Sequence, residues 1–164
     1  MATTSIWGIV SNLKRVIEYT TNVDKVSGEN SNYLELHKVI EYAKASYKTE
    51  EQLYVTGINC IAEKALEEMM ITKRAYNQMN GILAFHGYQS FVEGEVTPEQ
   101  AHKIGVKLAE EMWGDRFEVV VSTHLNTKHI HNHFVLNSVS FMDGLRYYDN
   151  RENYALLRAT SDSL

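Results

Sequence analysis

With 164 residues and 44% hydrophobic side chains, the chain is sized for one domain with a continuous core. Its single cysteine, Cys60, excludes a disulfide framework and a thiolate metal cluster, which fits a reducing compartment. A net charge of −5 argues against binding a polyanion by bulk charge, so any nucleic acid must be held by local basic groups or a metal ion.

No apolar run approaches the roughly 20 residues of a membrane span, and no secretory, transit or lipidation signal is visible. A cytoplasmic protein with no membrane partner is expected.

The opening TTSIWGIV is strand-like, and Ser11 is placed to cap a helix through NLKRVIEYTT. The Gly-, Ser- and Asn-rich loop VDKVSGENS breaks that helix. A second helical stretch, NYLELHKVIEYAKASY, repeats the first: Leu13, Val16, Ile17, Glu18, Tyr19 and Lys25 recur as Leu36, Val39, Ile40, Glu41, Tyr42 and Lys48, a period of 23 residues. Two copies are too few for a solenoid, so the repeat predicts two helices laying equivalent apolar faces on one sheet.

QLYVTGINC reads as a buried strand, IAEKALEEMMITKRAYNQ as a helix with an apolar stripe, and NGILAFHGYQSF as a strand opened by Asn-Gly turn chemistry. TPEQAHKIGVKLAEEMWGD has the clearest helix start: Thr97 as N-cap, Pro98 at the first helical position and Gln100 completing a capping box, with Gly114 as the stop. RFEVVVSTHL is rich in β-branched residues, and HIHNHFVLNSVSF continues as its hairpin partner across LNTK. RENYALLRATSDSL closes as an amphipathic helix without a clear cap, which suggests the front end of a longer protein.

Four of the seven histidines fall between His124 and His133. In a strand, residues two apart share a face with Cα atoms roughly 6.6 to 6.8 Å apart, so His131 and His133 can converge on one ion. A hairpin centred on Thr127 and Lys128 sets His124 opposite His131, with Cβ atoms about 5 Å apart. Three neutral imidazoles would leave coordination positions open for water or substrate, as catalytic metal sites do. His129 has the same parity but lies nearer the turn, as an alternate ligand or substrate contact. An isolated strand histidine is mostly a surface or hydrogen-bonded residue; the shared parity is what favours ligation here.

His124 followed by His131-Asn132-His133 and Asn137 resembles the three-histidine motif of the relaxase/mobilisation nuclease family, the P-type conjugative relaxases with an HUH-type endonuclease domain. YVTGINC, AFHGYQSF, GEVTPEQAHKIGVKLAEEMWGD and HIHNHFVLNSVSFMDGLRYY are similar to stretches of relaxases carried by mobile elements of Gram-positive bacteria. The resemblance implies an α/β (α+β) fold with a central, mainly antiparallel sheet of about five strands and helices on its faces. Residues 1–164 would then form a single nicking domain at the N-terminus of a longer protein.

It also implies a reaction. A tyrosine hydroxyl attacks the scissile phosphate of single-stranded or hairpin DNA at an origin of transfer, with a divalent ion, Mg²⁺ or Mn²⁺, as cofactor and accessory DNA-processing proteins as partners. The histidine set itself favours Mn²⁺, Zn²⁺, Co²⁺ or Ni²⁺ over the oxygen-seeking Mg²⁺.

The family places its tyrosine on or beside the first helix, which selects Tyr19, with Tyr42 as its rival in nearly the same local sequence. Many relatives carry aspartate where Asn126 stands, and an amide can accept a hydrogen bond but cannot act as a base; His129 or His86 could take over that role. His86, Tyr88, Gln89 and Ser90 lie where a strand feeds a loop, as DNA contacts or groups behind the ligands, and Asn137 sits at the far end of the histidine strand. Lys14, Arg15, Lys25, Lys73, Arg74, Lys128, Arg146 and Arg151 are the available DNA-binding cations, with Tyr147 and Tyr148 as base-stacking partners. Two other functions fit the same residues: an origin-DNA-binding module that does not cut, and a metal-dependent phosphodiesterase that uses water.

Overall fold

The computed structural model describes residues 2–21, 54–125 and 127–164. The second helical stretch with its copy of the repeat, Tyr42, Lys25 and Asn126 lie outside the described residues. In chain order the described elements are β1 (Thr3–Ile9), α1 (Leu13–Thr20), β2 (Val55–Ile58), α2 (Ala65–Ala75), β3 (Ala84–Ser90), α3 (Pro98–Trp113), β4 (Val119–His124), β5 (His131–Asn137) and α4 (Arg151–Ser163). The strands form one sheet in the order β1-β3-β5-β4-β2, with every pairing antiparallel. This is the α+β architecture expected from the resemblance. No described helix is long and apolar enough to cross a membrane.

Strand parity divides the sheet into two faces. Ile6, Ile58, Phe85, Phe134, Leu136, Val119 and Val121 point to one face, where Leu108, Ala109 and Trp113 of α3 and Leu157 of α4 bury them. On the other face, Ile9, Ala84, Val120 and Val135 pack under Leu13 and Ile17 of α1 and Ala65 and Met69 of α2. Val119, Val120 and Val121 are all fully buried, so β4 needs apolar residues in succession rather than in alternation. QLYVTGINC supplies only a four-residue edge strand, in which Ile58 alone is buried.

The helix ends follow local chemistry. At α3 the expected capping box is complete: Thr97 Oγ1 accepts from Gln100 N at 3.2 Å, and Gln100 Oε1 accepts from Thr97 N at 2.9 Å. At α1 the cap is Asn12 rather than Ser11. Asn12 takes a left-handed conformation (φ 56°) that a short amide side chain tolerates, so the chain turns one residue later than expected and makes no side-chain cap bond. The α1 helix ends where the Thr20 and Thr21 hydroxyls both donate to Ile17 O, at 3.1 and 2.7 Å. Helix α4 is capped by Asn150, whose side chain accepts from Asn153 N.

Candidate metal centre

The β4–β5 hairpin has the register of a turn centred on Thr127 and Lys128, with His124 paired to His131 and Ser122 to His133. All four side chains therefore share a face, next to the apolar patch under α1 and α2 and at the C-terminal end of α1. Ligand-capable nitrogens of His124, His131 and His133 all lie within 4.8 Å of one another. Two nitrogens on one ion at about 2.1 Å are at most about 4.2 Å apart, so small side-chain rotations suffice to close the set. Three imidazoles with no carboxylate or thiolate among them fit a borderline divalent ion.

Hydrogen bonds assign the protons. Thr20 O, a carbonyl at the end of α1, accepts from His124 Nε2 at 2.8 Å, which makes Nδ1 the lone-pair nitrogen of His124. His129 O accepts from His131 Nδ1 at 3.0 Å, which makes Nε2 the lone-pair nitrogen of His131. His133 Nδ1 meets His86 Nε2 at 2.6 Å. Burial lowers the pKa of His86 to about 4, so its ring is neutral and can accept the Nδ1 proton of His133, leaving His133 Nε2 as donor to an ion. Ser122, fully buried in the same row, has a hydroxyl with no hydrogen-bond partner among the described residues, as a polar group beside an ion-bound water or phosphate oxygen would.

Tyr19 stands over this cluster. Its ring makes edge contacts with His124 (centroids 6.1 Å apart) and His133 (6.3 Å), and the side chain is 46% exposed. The same helix terminus thus positions both groups, Thr20 through its carbonyl and Tyr19 through its ring.

Behind the histidines, on the helix-covered face, lies a buried polar network. Thr123 Oγ1 donates to Asn132 Oδ1 (2.6 Å), and Asn132 Nδ2 donates to Gln89 Oε1 (2.9 Å) and Ala101 O (2.8 Å). Gln89 Nε2 donates to Ser161 Oγ at 2.8 Å. Since Thr123 gives its proton to Asn132, it accepts from His102 Nδ1 (2.8 Å), and His102 Nε2 accepts from Thr56 Oγ1 (2.7 Å). Burial lowers the pKa of His102 to about 4, in keeping with that neutral tautomer. Helix α3 can approach only because residue 105 is glycine, where a Cβ would lie 2.5 Å from Asn132 Nδ2. The network holds the backbone between His131 and His133 from behind.

Other residues singled out from sequence fall elsewhere. His86 and Tyr88 join the histidine face, Tyr88 with ring contacts to His131 and His133. Gln89 turns to the opposite face. His129 is exposed at the turn and donates from Nδ1 to Phe91 O at 3.1 Å, while Lys128 is exposed beside it.

Asn137 lies at the opposite end of β5, where it accepts from Lys73 and donates to Glu118 Oε2 (3.0 Å); Thr72 donates to the other Glu118 oxygen. Lys73, expected as a DNA contact, is instead fully buried in that network, and desolvation lowers its pKa to about 8 against the opposing pull of Glu118. Arg146 is committed to the 78–82 segment through Gln78 Oε1 (3.1 Å) and Ile82 O (2.8 Å). Tyr147, expected to stack on bases, packs against Phe85, Trp113 and Phe117 in the core, whereas Tyr148 is exposed. Ser122 and the Thr20 carbonyl had no sequence signal beyond their neighbours.

Comparison with known proteins identifies the domain. The family described as relaxase, MobA/VirD2-like, nuclease domain matches residues 30–164, a span that begins after Tyr19 and includes Tyr42. A protein named rlx from Staphylococcus aureus is 35% identical over 127 residues, covering 77% of this chain and 38% of that protein. The group II intron-interrupted relaxase LtrB of Lactococcus lactis subsp. cremoris is 26% identical, covering 84% of this chain and 29% of the relative. The chain thus spans well under half the length of these curated relatives. No solved structure matches it at comparable stringency. The sheet with its hairpin of histidines is the nuclease domain of a relaxase, and the chain belongs to the MobA/VirD2-like relaxase family.

Proposed function

We propose that this chain is a metal-dependent, site- and strand-specific DNA nickase that opens an origin of transfer through Tyr19 and so initiates conjugative transfer or mobilisation. The supporting observation is the packing of the Tyr19 ring against His124 and His133, two of the three histidines whose ligand nitrogens converge.

His124, His131 and His133 would hold the ion. When bound, a divalent cation draws charge from the non-bridging oxygens of the scissile phosphate and lowers the barrier to attack by an oxygen nucleophile. Their imidazole nitrogens suit Mn²⁺, Zn²⁺, Co²⁺ or Ni²⁺, and Mg²⁺ or Mn²⁺ is the expected working ion. His86 and Thr20 fix the proton positions of two ligands, so the lone pairs are aimed before any ion arrives.

Tyr19 Oη attacks phosphorus and loses its proton, and the bond from phosphorus to the 3′ oxygen breaks. The products are a 5′-phosphotyrosine link and a free 3′-OH. One phosphodiester replaces another, so the step is reversible and the strand can be rejoined. Single-stranded or hairpin DNA is the substrate, and accessory DNA-processing proteins would deliver it.

The test is incubation with labelled oligonucleotides that tile the DNA around the protein's own gene, with Mn²⁺ or Mg²⁺ added. A covalent protein–DNA band that Tyr19→Phe abolishes and Tyr42→Phe retains is the expected result. Binding without scission would replace this reading with a non-cleaving origin-binding module. Scission that survives every tyrosine substitution would replace it with a phosphodiesterase that uses water.

A further inference from the structure

Next to the histidines, the sheet face extends towards β1 as a strip that no described helix covers. Thr3, Ser5 and Trp7 point the same way as their partners Ser90, Tyr88 and His86. Tyr88 and Ser90 in turn pair with His133 and His131. Trp7 is 45% exposed on an edge strand, although an indole is among the most costly side chains to leave in water. Its ring lies 4.7 Å from that of His86, which lies 4.9 Å from that of His133. An aromatic row thus runs unbroken from the edge of the sheet to a metal ligand. In a chain with 21 acidic residues, the paired side chains Thr3, Ser5, Trp7, His86, Tyr88 and Ser90 include no carboxylate.

We propose that Trp7 is a stacking platform for an unpaired nucleobase of the strand whose phosphate lies at the histidines. The proposal rests on the nickase reading and adds a contact that grips the DNA rather than cutting it. A base has a π-face whatever its sequence, so an exposed indole backed by a second ring binds it without reading it. Two strand spacings, roughly 9 to 10 Å, separate β1 from β5, so a base on Trp7 belongs to a nucleotide close to the scissile phosphate. The neutral strip lets the sugar-phosphate chain pass with no carboxylate to repel it, and Ser5 and Ser90 offer hydroxyls to phosphate oxygens. A base pair within a duplex has no free face to offer, so the platform selects single strands.

The experiment is fluorescence anisotropy with fluorescein-labelled oligo(dT), which avoids any nicking site, and with the same strand in duplex form. Trp7→Ala should weaken oligo(dT) binding by about ten- to a hundredfold and leave the weaker duplex binding unchanged. Trp7→Phe should recover most of the loss, and Mn²⁺ affinity and the melting temperature of Trp7→Ala should match wild type, which separates a lost contact from a lost fold. In the wild type, single strands should quench indole emission; Trp7→Phe, left with only the buried Trp113, should lose that response. Wild-type nicking and binding with Trp7→Ala indistinguishable from wild type would overturn the platform alone. A wild-type protein that neither nicks nor binds single strands would overturn the nickase reading and the platform together.

Discussion

On one side of β5, Asn132 is fully buried and makes three hydrogen bonds, to Thr123, Gln89 and Ala101, beneath the covering helix α3. On the other side, one residue away in each direction, His131 and His133 converge with His124 beneath the end of α1. The same strand therefore spends alternate residues on two tasks. On the helix-covered face, polar side chains satisfy one another and specify how α3 and the sheet fit. On the histidine face, hydrogen bonds donated to the Thr20 carbonyl, His86 and the His129 carbonyl fix one nitrogen of each ring and aim the other. On the proposed reading, rigidity comes from the first face and chemistry from the second, so substitutions on the two should separate stability from activity.

The largest separation is expected at His133. His133→Ala should cut single-turnover strand scission by about a thousandfold or more, since loss of several kcal/mol of electrostatic stabilisation is tenfold per 1.4 kcal/mol. Its unfolding free energy in urea should fall by only about 1–2 kcal/mol, since one buried partner, His86, loses its hydrogen bond. Asn132→Ala should show the reverse pattern. It leaves the Thr123 hydroxyl and the Gln89 side chain without their partner, at a cost of about 4 kcal/mol in the same urea titration. Scission measured where the protein is still folded should fall far less than in His133→Ala.

His102 adds a pH signature to the helix-covered face. Burial holds its pKa at about 4, below the unfolded value of 6.5, so the unfolded chain binds more protons between those values. The stability contributed by neutral His102 is complete above pH 6.5 and is lost as pH falls towards 4, by about 3 kcal/mol in all. Urea titrations across that window should show the slope, and His102→Gln should reduce it by about half, the remainder coming from His86, whose pKa burial lowers equally. The smallest effect belongs to the α3 cap: Thr97→Ala should lower stability by about 1 kcal/mol and leave scission unchanged.

The histidine face was legible because its signal is short-range. A period of two and a turn centred on Thr127 and Lys128 are enough to place His124 opposite His131. The capping box at Thr97 was legible for the same reason. The opposite face was not, because Thr56, Gln89, His102, Asn132 and Ser161 come from five elements and meet only after the sheet is assembled. Read alone, each is an ordinary polar residue of a helix or strand. Lys73 misled for a related reason: on helix α2 it follows Thr72, and both turn inward to Asn137 and Glu118, which no local pattern reveals. Tyr147 likewise becomes a core residue only when Phe85, Trp113 and Phe117 surround it.

Calorimetric titration of the metal-free protein with Mn²⁺, beside His124→Ala, His131→Ala and His133→Ala, probes the three-histidine centre directly. One ion per chain, with each substitution weakening binding at least a hundredfold while the fold persists, is the predicted result. Wild-type stoichiometry and affinity in all three variants would contradict it.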